Sequence, residues 1–248
     1  MDSFFSWGLP LGRVAGIHVK LHWTLLLYWL YELDSLLRGV DSSHRGLALG
    51  VWATTVGLMF LSIFLHELGH CFAARRVGGS ADEVLLWPLG GLAFCHCPEF
   101  PKSNLIVAAG GPAVTLAISA VSAAGFYLAG YDADRLWVEP TFLRLLLYQA
   151  WSILVHWNLV ILIFNLIPLY PMDGGRIVHS VLWGFFSKRG GYVWEGHARA
   201  SRITLSISVV TAGAGILYAI HAKEQMLLFL FFWALLQALS LRQQGQSF

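Results

Sequence analysis

Apolar residues in this chain run in long blocks, without the three-and-four spacing of a helix lying half in water. A helix crosses the hydrocarbon of a bilayer with about 20 residues. Six blocks reach or approach that length, at roughly residues 17–36, 47–74, 104–128, 142–169, 203–220 and 226–241. The first carries Lys20, Glu32 and Asp34 near its ends, and the fourth closes on Pro168 and Pro171. Residues 177–186 are apolar but too short to cross, and read as a half-helix or surface segment. Between the second and third blocks, the run Val84-Leu85-Leu86-Trp87 is followed by Pro88 and Gly90-Gly91. That segment predicts a short strand and turn dipping into the membrane, with an edge at residues 84–87 open to an extended peptide. The expected fold is an all-α integral membrane protein, a single domain over residues 1–248, with about six transmembrane helices and a short β element between spans two and three.

Composition agrees. The chain is 57% hydrophobic and 12% charged, whereas a soluble domain carries about 25% charged residues. Half that density cannot cover a water-exposed surface, and a net charge of +2 leaves no footprint for nucleic acid. Residues 1–10 lack the basic start of a signal peptide. The three cysteines, Cys71, Cys95 and Cys97, make an odd count with no disulfide framework. Cys95-His96-Cys97 lacks the distant second pair that a closed metal site needs. Six spans place both termini on one side. With the N-terminus in the cytoplasm, eleven of the sixteen Lys and Arg fall on the cytoplasmic side and five on the other. That split predicts both termini inside and a second span running inward to Arg75-Arg76.

Within this apolar background two acids stand alone. Glu67 is the only charged residue between Arg45 and Arg75, inside His66-Glu67-Leu68-Gly69-His70. A lone carboxylate at bilayer depth costs at least a few kcal/mol, so it asks for a chemical reason. On a helix His66 and His70 share a face one turn apart and can bind one Zn²⁺, with Glu67 beside them as a general base toward water. The pair would lie roughly 14 Å from the cytoplasmic end of the span. A catalytic zinc uses three protein ligands. The other stranded acid is Asp173, which shares the stretch between Arg144 and Lys188 with Arg176 alone. Pro168 and Pro171 break the fourth helix before it, and Gly174-Gly175 permit a sharp turn after it. Asp173 is therefore the expected third ligand, at similar depth.

The two motifs together resemble the site-2 protease family of intramembrane zinc metalloproteases: H-E-L-G-H on one span, then N-x-x-P-x-x-P-x-D-G-G from Asn165 to Gly175 on a later one. Gly90-Gly91-Leu92-Ala93 resembles that family's glycine-rich re-entrant element, and Ala109-Gly110-Gly111-Pro112-Ala113 its third-span motif. Gly16-Ile17-His18-Val19-Lys20-Leu21-His22-Trp23 resembles the entry of the compact branch that includes a sporulation protease acting on a pro-sigma factor. The resemblance spans about residues 12–185, in the family's order. It implies that His66, His70 and Asp173 hold zinc, that Glu67 is the general base, and that Asn165 holds substrate or stabilises the oxyanion. It implies a membrane-anchored protein substrate, of the kind of an anti-sigma factor or a membrane-bound transcription regulator. One place departs: where the third-span motif often continues with Asn, this chain has Thr115. No PDZ-like or nucleotide-sensing segment is recognisable.

Simpler roles are expected for other polar residues. Asn158 and His156 read as packed, hydrogen-bonding residues between helices, and His18 and His22 as interfacial or structural. Arg176 reads as a partner of Asp173 or of lipid headgroups, and Asn165 has the alternative of capping carbonyls freed by Pro168. Two other functions use the same residues, an ion or metal transporter and a substrate-binding scaffold of the same fold. The first would favour an inverted repeat, and none is visible; the second would favour a broken catalytic set, and this one is intact.

Overall fold

The computed structural model describes residues 8–131, 141–188 and 193–243. The chain opens with two strands, β1 (Gly8–Val14) and β2 (Ile17–His22), and a helix, α1 (Trp23–Gly39). A long helix α2 (Arg45–Arg76) follows, then a hairpin of β3 (Ser80–Trp87) and β4 (Gly90–His96). The rest is helical: α3 (Pro101–Leu128), α4 (Phe142–Asn165), α5 (Asp173–Lys188), α6 (Val193–Ala222) and α7 (Gln225–Gln243). Residues 152–157 form a π-helical stretch within α4. Five of these helices, α2, α3, α4, α6 and α7, are long and apolar enough to cross a membrane.

The first expected span needs correcting. Residues 17–22 are a strand, and α1 keeps only 17 residues, about 26 Å of helix against a hydrocarbon of about 30 Å. Ile17, Val19 and Leu21 are buried while His18 is exposed, which is the two-residue period of a strand and not the period of a helix. His22, fully buried, caps α1 by accepting from the Thr24 amide at 3.4 Å, a structural role as expected for it.

The sheet has the order β1-β2-β3-β4. β2 pairs with β3 in parallel, Val19 opposite Val84 and Leu21 opposite Leu86, and β3 pairs antiparallel with β4, Leu86 opposite Gly91. The hairpin expected between spans two and three is therefore present, but residues 84–87 are interior to the sheet. The edge on that side is β4. Sequence-local reasoning missed this because the partner of β3 lies about sixty residues earlier. Ile17, Leu21, Val84 and Leu86 pack with Leu68 and Cys71 of α2, so the sheet lies against the end of α2 that carries the histidines. Arg75 ties the two together: its guanidinium donates to the Ala15 and Ala81 carbonyls at 2.6 and 2.9 Å.

α2 and α3 cross at contact distance. A Cβ on Gly69 would stand 2.5 Å from the Gly110 carbonyl oxygen, and one on Gly110 would stand 2.6 Å from that of Gly69. Only glycine on both sides permits this approach. α4 lies against both helices. Asn158 donates to Ser62 Oγ at 3.0 Å, Gln149 to Thr55 Oγ1 at 2.7 Å, and Ser119 to the Val155 carbonyl at 3.0 Å. Asn158 is thus the interhelical residue it was expected to be, and His156 packs edge-on to Trp151 with ring centres 4.3 Å apart.

Gly174 and Gly175 do not form the expected turn. They lie in the first turn of α5, and a Cβ on Gly174 would meet the Ile167 carbonyl oxygen at 2.2 Å. Their lack of a side chain lets α5 start directly against the broken end of α4. Leu169 anchors that break against Ala212, Phe231 and Ala234 of α6 and α7. Two of the sixteen Lys and Arg counted for the topology, Arg135 and Arg189, lie outside the described residues.

The α2–α3 crossing gives a test of the fold. Gly69→Ala forces two backbones apart, whereas Gly57→Ala, on the same helix with nothing within 4 Å of its Cβ position, does not. Thermal unfolding in detergent should show a clear drop for the first and little change for the second. Equal midpoints would mean that the helices do not cross at Gly69.

Candidate metal centre

His66, Glu67 and His70 sit in the buried part of α2. The helical period puts the two imidazoles on one face, where α5 delivers Asp173 from its first turn. His66 Nε2 lies 3.1 Å from Asp173 Oδ2, His70 Nε2 lies 3.3 Å from Asp173 Oδ1, and the two Nε2 atoms lie 3.2 Å apart. These three residues are the one group of three or more His, Cys, Asp or Glu side chains arranged to hold a metal ion among the described residues. Cys95, His96 and Cys97 form no such group.

The far nitrogens of the rings decide what the near ones can do. His70 Nδ1 is 2.7 Å from the Val107 carbonyl oxygen, which can only accept, so Nδ1 carries the proton. His66 Nδ1 is 2.7 Å from Thr115 Oγ1, whose own hydroxyl donates to the Gly111 carbonyl at 3.3 Å. The Thr115 oxygen is then left to accept from His66 Nδ1–H. Both Nε2 atoms therefore present lone pairs, and they do so toward each other and toward a carboxylate. Three acceptors in mutual contact with no proton between them repel unless a cation lies among them.

A zinc ion fits this arrangement. Ligand atoms at roughly 2.0–2.1 Å from a tetrahedral ion lie about 3.3 Å from one another, the spacing seen here. The space is kept clear by Gly111, where a Cβ would stand 2.3 Å from His70 Nε2 and 2.5 Å from His66 Nε2. A metal-binding histidine usually donates its other ring N–H to a fixed partner, and both rings do so.

Glu67 belongs to the same site but not to the ligand set. Its side chain lies against β4, where a Cβ on Gly91 would come within 2.3 Å of Glu67 Cγ, and the Ala93 amide hydrogen-bonds to its carboxylate. The residue is 8% exposed and has no Lys or Arg in ion-pair distance among the described residues. Asn165 ends α4, half-buried, with its side-chain amide uncommitted among the described residues. Arg176, one turn beyond Asp173, makes no ion pair with it; both Asp173 oxygens face the imidazoles.

Sequence reading missed Thr115, the Val107 carbonyl and Gly111. Thr115 drew notice only as a departure from a motif, whereas here it fixes a ring. A backbone carbonyl leaves no trace in sequence. The signal for Gly111 was present in the pair Gly110-Gly111, of which one packs helices and the other opens the site.

Holding His66 through Thr115 predicts a graded effect on metal affinity. Thr115→Val, similar in shape but without the oxygen, should weaken zinc binding by about 10–100-fold, while Thr115→Ser should stay near the parent. Competition against a calibrated chelator measures both. Equal affinities for Val and Thr would show that the hydroxyl does not hold the ring.

Comparison with known proteins places this geometry in a family. Residues 139–198 match the family model of peptidase family M50. A Mycobacterium tuberculosis protein named as a zinc metalloprotease, Rip3, is 35% identical over 211 residues, which cover 81% of this chain and 50% of that protein. A zinc metalloprotease of Methanocaldococcus jannaschii is 31% identical over 218 residues, covering 86% of this chain and 55% of the relative. The chain thus spans about half the length of the curated relatives it matches. A solved structure, a site-2 protease from Methanocaldococcus jannaschii, aligns over 97% of this chain and 96% of that one, with a TM-score of 0.58 and 28% identity. With relatives named as zinc metalloproteases at 35% and 31% identity over more than four fifths of the chain, and a site-2 protease structure aligned over nearly all of it, the chain belongs to the site-2 protease family, peptidase family M50.

Proposed function

We propose that this chain is a zinc-dependent intramembrane endopeptidase that hydrolyses peptide bonds in or near the transmembrane segments of membrane-anchored proteins. The observation that carries this reading is the convergence of three lone-pair donors, His66, His70 and Asp173, beside an unpaired Glu67 within apolar helices. Membrane-tethered regulators of transcription are the substrate class that the family resemblance favours. The Lys and Arg distribution supports both termini in the cytoplasm. With α1 counted as a sixth, short membrane passage, α2 runs inward.

His66, His70 and Asp173 would hold the ion, with one position open. Zinc, when bound there, supplies Lewis-acid polarisation of the scissile carbonyl and of the attacking water. Glu67 then takes a proton from that water and delivers it to the leaving amine. The Ala93 amide orients the Glu67 carboxylate, and Thr115 and Val107 keep the imidazoles from swinging. The uncommitted amide of Asn165 can donate to the oxyanion or the substrate backbone.

A helical substrate must also give up backbone hydrogen bonds before it can be cut. The edge of β4 offers replacements by strand addition. The Ala93 N–H points toward Glu67, so the two-residue period puts the Cys95 N–H on the same side.

Two outcomes follow. Glu67→Gln keeps shape but cannot accept the proton, so it should retain zinc and lose cleavage of a single-pass test substrate. Appreciable turnover by that variant would remove Glu67 from its role. Cys95→Pro should lower cleavage with zinc retained, because it deletes one edge donor, while Cys95→Val should be mild. Equal activity in the two would count against pairing along β4.

A further inference from the structure

A cavity of about 420 Å³ opens just beyond the end of β4, with Cys97, Glu99, Asn104, Trp183, Trp194 and His197 in its wall. No metal-site residue reaches it. Two elements connect it to the metal centre. β4 passes Glu67 at Gly91 and leads to Cys97, one residue past its end; six residues at ~3.3 Å span about 20 Å. α5 starts at Asp173 and leads to Trp183; ten helical residues at ~1.5 Å span about 15 Å. Both lead from the metal centre to the cavity wall, so a segment extended along them from the metal centre would arrive at the cavity. Arg176, one turn after Asp173, stands on α5 between the metal centre and the cavity.

The wall has a definite chemistry. Trp183 is buried and fixed, its indole N–H donating to the Val193 carbonyl at 2.9 Å. The His197 ring meets Trp183 edge-on with centres 4.5 Å apart, and Trp194 stands at the rim, 67% exposed. The Asn104 amide is engaged with the Pro98 and Phe100 carbonyls, and Cys97 donates to its oxygen at 3.5 Å. Glu99 is the charged member of the wall, and it makes no ion pair among the described residues. Aromatic faces with one carboxylate complement a cation. Membrane-anchored proteins bring lysine and arginine to the cytoplasmic boundary of their spans.

We propose that this cavity is a substrate subsite that receives a lysine or arginine side chain about six residues from the scissile bond, on the side that leaves along β4. The inference rests on the protease reading above. Arg176 disfavours a basic side chain nearer the cut, so the two groups together would set the register of the bound segment.

Two measurements test the subsite. In the first, a single cysteine is walked from about three to about nine residues from the cut of a single-pass test substrate, and cross-linked by mild oxidation to the native Cys97 of the Glu67→Gln protein. Cross-linking should peak near the sixth residue and vanish in Cys97→Ser; a flat or absent signal overturns the proposal. In the second, substrates with Lys or Ala at that residue are compared. Lys should raise kcat/KM about fivefold in the parent, the size of a partly exposed cation–π and carboxylate contact, and Glu99→Gln should bring the ratio to about one. A ratio near one in the parent, or one that survives Glu99→Gln, overturns the proposal. Position-specific cross-linking without cleavage of either substrate would instead sink the protease reading and leave the subsite standing.

Discussion

The contact between Gly69 and Gly110 governs the rest of the site. Lipid chains are as apolar as leucine, so helices in a bilayer gain little from burying apolar side chains against one another and rely on close packing and hydrogen bonds. Two backbones in contact bring α3 near enough for Val107 and Thr115 to reach the outer nitrogens of His70 and His66. They also bring Gly111, one residue on, to the inner nitrogens. A wider crossing would lose both hydrogen bonds and leave the rings free to turn. Packing and chemistry are therefore set by adjacent glycines of one motif.

The same economy governs charge. Two neutral imidazoles, two carboxylates and one divalent ion sum to zero, so the loaded site carries no net charge into an apolar interior. Without the ion, Asp173 and Glu67 would be two negative charges among helices, at a cost of at least a few kcal/mol each. Asp173 faces the rings and Glu67 faces β4. On the proposed reading, the two acids are thereby separated into a ligand and a base by which element each meets.

Stranded charge made the centre legible. Glu67 and Asp173 stand out because each breaks a long apolar run, and His66 and His70 because their spacing matches the helical turn. Five of the six apolar blocks largely coincide with helices long and apolar enough to cross a membrane, since length and hydropathy are properties of the segment itself. The first block failed because hydropathy does not distinguish a strand running into a helix from one continuous helix. The alternation Ile17-His18-Val19-Lys20-Leu21-His22 was the available sign. The place of β3 inside the sheet was out of reach because its parallel partner is remote in sequence. Thr115 could not be assigned because a threonine in an apolar helix has several uses, and only the ring across the crossing selects one.

On the proposed protease reading, the sheet offers a helical bundle a way to act on a peptide that prefers to stay helical. Each residue pulled from a helix loses an internal hydrogen bond that the membrane cannot replace. A strand edge next to the metal centre would turn that loss into an exchange, provided the edge is held still. β2 holds it: by pairing with β3 it makes β3 interior and leaves β4 as the outer strand. Arg75 fixes the β1–β2 turn and the start of β3 to the end of α2, so the sheet is registered against the helix that carries Glu67. The N-terminal strands lie far from the histidines in sequence, yet they determine which strand edge faces the metal centre. Without β2, β3 would itself be an edge strand, and β4 would lose the support that fixes it against Glu67.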